Sequence, residues 1–244
     1  MNELLGLPYS PWTEKARWAL DARQVTYAFR FFSPLLGEPR LRAKLGRWRG
    51  EVTVPILTDE SGKVYPDSLD IARWADARGE GASLFPRKLD AEILRFVALS
   101  ERGLAAGRAI SLRRMLDDPP ALAELIPRNL REFLGPVGPY VAGLGVRRTL
   151  RKYRAASLDH DAYIGVLDEI RAAISGAPRA PLLGSFTFAD IAASQVLSFV
   201  SPPAFGLRLG QESRRAFTDV EMKARYADLI EWRDAMYLAH RPRD

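Results

Sequence analysis

The stretch LPYSPWTEKARWAL, residues 7–20, decides how the first part of the chain folds. It places Ser-Pro between the short apolar segment ELLGL and a run of good helix formers. Proline is favoured in the first helical turn, where its missing N–H would have no intrahelical acceptor. The pattern predicts a strand followed by a helix over residues 11–23. Ser10 is then either a plain helix cap or a hydroxyl that holds a negatively charged group at the helix N-terminus.

The composition argues against several kinds of chemistry. The 244 residues include no cysteine, which removes disulfides, thiolate metal ligands and protein-thiol redox chemistry. The two histidines, His160 and His240, are far apart in the sequence, so we expect neither a metal site nor a histidine-based triad. A net charge of +6 suits an anionic partner. Basic and aromatic residues do not interleave as in nucleic-acid binders, and we expect no nucleic-acid partner.

The hydropathy of the chain indicates its compartment. The N-terminus lacks the basic and apolar regions of a signal peptide. The longest uncharged stretch, residues 191–207, is shorter than a typical membrane span and fits a buried helix better. We therefore expect a cytoplasmic protein.

The first eighty residues alternate strand and helix signals. After the first strand and helix come a β-branched and aromatic strand (residues 25–32), a short helix (40–45), two short strands joined by the turn TDESG, and a helix from Asp67 to Gly79. Val54-Pro55 is expected to begin the third strand. The order β-α-β-α-β-β-α, with the first two strands parallel and the last two antiparallel, predicts a thioredoxin-like unit.

The remainder of the chain has helical periodicity only. The segment EGASLFPRKLD that follows Gly79 is typical of a linker. We predict an α/β thioredoxin-like domain over residues 1–79, a linker over 80–89 and an all-α domain over 90–244.

Four stretches in this order carry a family resemblance: YSPWTEKARWAL, VPIL, PDSLDIARWAD and LLGSFTFADIAAS. In the last, Thr187 and Asp190 have the spacing of a capping box. Together they resemble the soluble glutathione S-transferases over nearly the whole chain. The resemblance implies the glutathione S-transferase fold, a homodimer, and an enzyme that transfers the glutathione thiolate to a small electrophile.

The resemblance also implies residue roles. Ser10 stands where the family carries its catalytic serine or cysteine, and would hydrogen-bond the glutathione sulfur and favour the thiolate. Val54, beside Pro55 in an expected cis bond, would pair through its backbone with the cysteinyl part of glutathione. Asp67 and Ser68 would hold the γ-glutamyl end.

One position departs from the family pattern. A basic residue often stands just before the Val-Pro pair, but Glu51 and Thr53 stand there instead. Recognition of the glycine carboxylate would then fall to Arg47 or Arg49. Tyr9 is an alternative hydroxyl donor, although the serine is preferred because it directly precedes the helix.

The pocket for the second substrate is expected to include Tyr9, Trp12, Leu112 and Tyr140. Its aromatic lining suggests an apolar electrophile. Residues 133–154 combine an apolar Gly-Pro stretch with a basic cluster. They are interpreted as a loop over this pocket, a basic loop on a long helix hairpin, or a surface for anionic lipid. This region also loosely resembles the membrane-associated prostaglandin E synthase branch, whose isomerase activity we do not expect without a thiol.

Two rival functions stay open. A non-catalytic adaptor or binding protein of the same fold is motivated by the missing basic residue before Val54. A peripheral membrane protein would use residues 133–154, and we rank it lower. The cysteine-based branches of the family exchange disulfides through their own thiol, which this chain cannot do.

Overall fold

The computed structural model describes residues 1–33, 37–126, 128–153, 160–174 and 178–243, with the backbone alone at 128 and 129. The elements of the first eighty residues have the predicted order. They are β1 (Asn2–Gly6), α1 (Pro11–Ala22), β2 (Tyr27–Phe31), α2 (Glu38–Leu45), β3 (Ile56–Thr58), β4 (Val64–Tyr65) and α3 (Ser68–Arg78).

The four strands form one mixed sheet in the order β2-β1-β3-β4. Strand β1 is parallel to β2, and β3 and β4 form an antiparallel hairpin, which confirms both predicted pairings. The prediction that Val54-Pro55 begins the third strand is wrong by two residues, since β3 begins at Ile56. Proline cannot donate a hydrogen bond to the strand ladder, and the Val54-Pro55 peptide bond is cis.

Beyond Gly79 every regular element among the described residues is helical. The helices are α4 (Asp90–Leu116), α5 (Pro119–Glu124), α6 (Arg128–Leu134), α7 (Gly138–Lys152), α8 (His160–Ala173), α9 (Phe188–Val196), α10 (Gln211–Phe217), α11 (Val220–Arg225) and α12 (Ala227–His240). This confirms the predicted fold class. The limits 1–79, 80–89 and 90–244 remain a prediction, although α4 does begin at Asp90.

Helix α9 is the centre of the helical part, and all of its residues are buried. The predicted capping box at its start is present. The Asp190 carboxylate accepts the Thr187 N–H at 2.8 Å, and Thr187 Oγ1 accepts the Ala189 N–H at 3.3 Å. Burial raises the pKa of Asp190 to about 6, against the lowering effect of its N–H donors. The box is therefore a buried structural feature, as the sequence predicted.

Residues 133–153, the described part of the predicted loop segment 133–154, are mostly helical. The chain passes from α6 through a short turn into α7, with Pro139 in the first turn of the helix, where proline is tolerated. Gly143 and Val146 are buried while Arg147 and Arg151 are exposed, so the basic residues lie on the outer face of a helix. The lipid-surface interpretation stays untested, and residue 154 lies outside the described residues. Among those residues, no helix is long and apolar enough to cross a membrane.

Helix α1 joins the two parts of the chain, since it packs against α3 on one side and α9 on the other. It also carries charged side chains into the interior. Glu14 is 1% exposed, and its carboxylate accepts a hydrogen bond from Arg241 at 2.6 Å. Arg241 also bonds Asp21 at 2.7 Å. The end of the chain is thereby fixed to α1 by buried ion pairs.

Replacing Arg241 by alanine should destabilise the fold strongly. The Glu14 carboxylate would lose a buried partner, and breaking one side of a buried pair costs about 3–5 kcal/mol. Chemical denaturation measures the loss. Arg243→Ala is the matched control, because Arg243 is exposed two residues further on and should change stability by less than about 0.5 kcal/mol. Equal effects of the two substitutions would contradict this account of the interface.

Candidate functional site

Ser10 occupies the N-cap position of α1 with an extended backbone (φ −90°, ψ 126°), but its side chain makes no capping hydrogen bond. Its carbonyl accepts the Glu14 N–H at 2.9 Å, as an N-cap carbonyl should. Within the described chain the Ser10 hydroxyl has no hydrogen-bond partner. The hydroxyl is therefore not used as the plain helix cap that one interpretation predicted, and it remains available to a ligand.

The sheet register brings three predicted features to one edge. Leu5, at the end of β1, lies opposite Ile56, so Val54-Pro55 adjoins the chain that leads to Ser10. Strand β4 is antiparallel to β3 and ends at this same edge, where it leads into α3. The N-termini of α1 and α3 and the cis peptide bond therefore share one edge of the sheet. Helix N-termini favour anions there through free N–H groups and the helix dipole.

Val54 has the backbone freedom that an extended ligand would need. Its side chain is half-buried, and neither its N–H nor its carbonyl has a partner within the ranges that the structure describes. Such a backbone can pair with an extended peptide in the manner of strand addition.

Asp67 and Ser68 begin α3. Asp67 is its N-cap, and Oδ1 accepts the Leu69 N–H at 2.7 Å. Ser68 is 2% exposed and is the first helical residue, so its N–H has no intrahelical acceptor. Loss of solvation raises the pKa of the Asp67 carboxyl, and the charges of Glu101 and Lys15 lie close enough to act on it.

Glu101 of α4 joins the helical part to the start of α1. One of its carboxylate oxygens accepts from Lys15 Nζ at 2.5 Å, and the other accepts from Trp12 Nε1 at 2.6 Å. The Lys15 side chain is fully buried, so this carboxylate neutralises an otherwise unpaired interior cation. The indole of Trp12 is thereby fixed beside Ser10.

Arg108 lies two turns further along α4 and packs against two aromatic rings. Its guanidinium carbon is 4.8 Å from the ring centroid of Trp12 and 3.7 Å from that of Tyr153. Burial lowers the pKa of Arg108, against the raising effect of Tyr153, Glu101 and Glu51. The group stays a cation, since arginine is not deprotonated in proteins.

An open cleft of about 560 Å³ lies between α2 and the end of α7. It is lined by Glu38, Arg42, Gly50, Glu51, Arg148, Arg151 and Lys152. Lys152 Nζ donates to the Val52 carbonyl at 2.7 Å. The Lys152 ammonium group therefore lies beside the backbone of Val52, two residues before Val54, although Lys152 itself belongs to α7 in the helical part. Arg47 and Arg49, predicted for this role, are exposed in the segment after α2.

Three of the four predicted pocket residues, Tyr9, Trp12 and Leu112, lie on or next to α1 and α4. Trp12 belongs to the cluster just described, and Leu112 lies one turn beyond Arg108 on α4, half-buried. Tyr9 is half-buried, and burial raises its pKa to about 12, so it stays protonated at neutral pH.

Tyr140 does not join this cluster. It is 64% exposed. It also lies one helix length from Lys152, about 18 Å at 1.5 Å per residue. Its part in a substrate pocket stays a prediction, and its position on α7 separates it from the Lys152 end of that helix.

Sequence reasoning missed Lys15, Glu101, Arg108, Lys152 and Tyr153. Glu101 and Arg108 are seven residues apart and share one face of α4, which is a detectable signal of a polar stripe. The sequence does not show that this face meets the start of α1.

Comparison with known proteins supports the same fold. Residues 9–78 match the family model of the glutathione S-transferase N-terminal domain. No curated protein matches the chain.

Three solved structures are similar over nearly their whole length. A Methylobacillus flagellatus KT glutathione S-transferase with glutathione bound has 18% identity, a TM-score of 0.60, and coverage of 97% of this chain and 95% of its own. A Pseudomonas fluorescens Pf-5 glutathione transferase family member, with bound glutathione, has 20% identity, a TM-score of 0.57 and full coverage of both chains. A Phanerochaete chrysosporium glutathione transferase has 16% identity, a TM-score of 0.60, and coverage of 100% and 98%. At such low sequence identity, the structural similarity shows that this chain shares their fold.

Replacing Glu101 by glutamine should destabilise the protein by about 1–3 kcal/mol, because Lys15 would keep its buried charge and lose its ionic partner. Thermal and chemical denaturation measure the loss. Glu92→Gln is the matched control, since Glu92 lies on the exposed side of the same helix and pairs with exposed Arg95. The double variant Lys15→Met/Glu101→Gln should recover most of the loss, and failure to recover any of it would contradict the pairing argument.

Proposed function

We propose that this chain is a glutathione S-transferase that binds glutathione at the edge where α1, α3 and the cis peptide bond meet, and transfers its thiolate to an electrophile. The family match of residues 9–78 and the fold of the whole chain support the proposal. The observation that carries the proposal is the unpartnered Ser10 hydroxyl at the N-terminus of α1. Two of the similar solved structures hold bound glutathione, which supports the choice of ligand.

Ser10 would donate a hydrogen bond to the glutathione sulfur. The N-terminus of α1 would add a partial positive charge on the same side. Such surroundings lower a thiol pKa by about one to several units from roughly 8.5. The thiolate then attacks the electrophilic carbon, a carbon–sulfur bond forms, and the leaving group departs with its electron pair. The protein contributes positioning and charge stabilisation.

The rest of glutathione would lie along the same edge. The free backbone of Val54 would pair with the cysteinyl residue next to Pro55, and the start of α3 would hold the γ-glutamyl carboxylate through Asp67 and Ser68. For the glycine carboxylate we propose Lys152 together with Arg47 or Arg49. The Lys152 contact with the Val52 carbonyl supports this, because it places a cation beside the segment that lacks one of its own.

The wider assignments follow the family resemblance. We propose a homodimer, a cytoplasmic location and an apolar electrophile as the second substrate. The rival, a non-catalytic protein of the same fold, was favoured by the missing basic residue before Val54. The Lys152 contact weakens that argument, since it offers a replacement cation.

Two measurements test the proposal. Calorimetric titration at neutral pH should give a Kd for glutathione of about 1 mM or lower, which is a binding free energy of about −4 kcal/mol or more favourable. Ser10→Ala should lower kcat/KM for conjugation of a reactive aryl halide by about 10- to 100-fold, the value of a hydrogen bond to a charged group. Ser185→Ala, at an exposed serine, is the control and should have no effect. Absence of binding at several times that concentration would leave the fold with another function, and an unchanged rate in Ser10→Ala would remove the serine from the mechanism.

A further inference from the structure

Arg108 differs in its charge partners from several other arginines of the helical part. Other arginines of the helical part pair closely, such as Arg114 with Asp219 at 2.6 Å and Arg171 with Asp228 at 2.7 Å. Within the described ranges no carboxylate lies within ion-pair distance of Arg108. Of the two carboxylates whose charge acts on it, Glu101 is engaged by Lys15 and Trp12, and Glu51 is exposed.

The environment of Arg108 favours an anionic ligand. Its side chain is half-buried, and a cation that is partly removed from water without a carboxylate in contact is stabilised by binding an anion. Trp12 and Tyr153 lie against the guanidinium at 4.8 Å and 3.7 Å between its carbon and the ring centroids. The Tyr153 side chain also hydrogen-bonds the guanidinium. A guanidinium has five N–H donors, so others are left for binding a carboxylate.

Arg108 lies near Ser10, where the second substrate would meet the proposed thiolate. Trp12, on which it stacks, follows Ser10 by two residues on α1. The features proposed for glutathione lie along the sheet edge, at Val54 and the start of α3, and at Lys152, the neighbour of Tyr153 in the sequence. Arg108 comes from α4 in the helical part and contacts Trp12 near the start of α1.

We infer that the electrophilic substrate carries an anionic group, a carboxylate or a group of similar shape, and that Arg108 binds this group beside Trp12 and Tyr153. The inference rests on the proposed function and narrows its substrate class from an apolar electrophile to one with an apolar reactive part and a charged end. Arg108 takes no part in bond making. The thiolate sulfur bonds to carbon, the leaving group departs with its electron pair, and the thiol proton goes to solvent.

The test compares a para-chloro-dinitrobenzoate with its methyl ester, which has the same leaving group and no charge. Each enzymatic kcat/KM is divided by the uncatalysed rate constant with glutathione at the same pH. The wild type should favour the acid. Arg108→Gln should lose about 10- to 100-fold on the acid and little on the ester, as for a hydrogen-bonded charge pair. Arg108→Lys keeps the charge but lacks the planar guanidinium, so its kcat/KM for the acid should lie between those of the wild type and Arg108→Gln.

Controls separate this inference from the function on which it rests. Arg102→Gln, at an exposed arginine of the same helix, should leave the acid-to-ester ratio unchanged. Glutathione affinity, measured by calorimetry, should be the same in Arg108→Gln as in the wild type. Weakened glutathione binding with an unchanged ratio would assign Arg108 to the glutathione site and overturn the inference while the transferase function stands.

A binding measurement tests the inference without conjugation. Dinitrobenzoate lacks the leaving chloride and is titrated into wild type and Arg108→Gln by calorimetry, with and without glutathione. The wild type should bind dinitrobenzoate at least about tenfold more tightly than Arg108→Gln does, because the variant loses one charge-assisted contact. Equal affinities would overturn the inference even if the transferase activity is present, and a difference would support it even if that activity is absent.

Discussion

Helix α1 carries charged side chains into the protein interior, and the helical part of the chain supplies their partners. Glu14 meets Arg241, Lys15 meets Glu101, and the Arg17 guanidinium donates to the Gly206 carbonyl at 2.8 Å. Burying an unpaired charge is prohibitively costly, so α1 can occupy this place only when the helical part is docked against it. The two parts are therefore one cooperative structure at this helix.

This constraint also fixes the candidate site. Ser10 stands at the start of the same helix, and the residues that position its surroundings come from across the interface. Glu101 holds both Lys15 and Trp12, and Arg108 stacks on Trp12 from the same face of α4. A stability interaction and the proposed substrate pocket thus share residues. Changes on α4 that weaken the interface should also disturb the position of Trp12 beside the proposed thiolate.

Local sequence signals predicted the elements well because their causes are local. Ser10-Pro11 sets the start of α1, and the Thr187/Asp190 pair sets the start of α9 through its own hydrogen bonds. Contacts between distant elements were not predictable in this way. No local pattern shows that Glu101 would pair with Lys15, 86 residues away, or that Lys152 would reach the Val52 carbonyl. The glycines and prolines of residues 133–154 suggest a loop, but packing of small residues on one face allows the helix α7, on which Tyr140 is exposed.

The most direct test of the central claim is the ionisation of glutathione in its complex with the protein. Ultraviolet absorbance of the thiolate, followed against pH at saturating protein, gives the pKa of the bound thiol. In the wild type this pKa should lie at least about one unit below the usual thiol value of roughly 8.5, and in Ser10→Ala it should return most of the way to that value. A bound thiol that titrates like free glutathione, or equally in both proteins, would contradict the role assigned to the N-terminus of α1 and its serine.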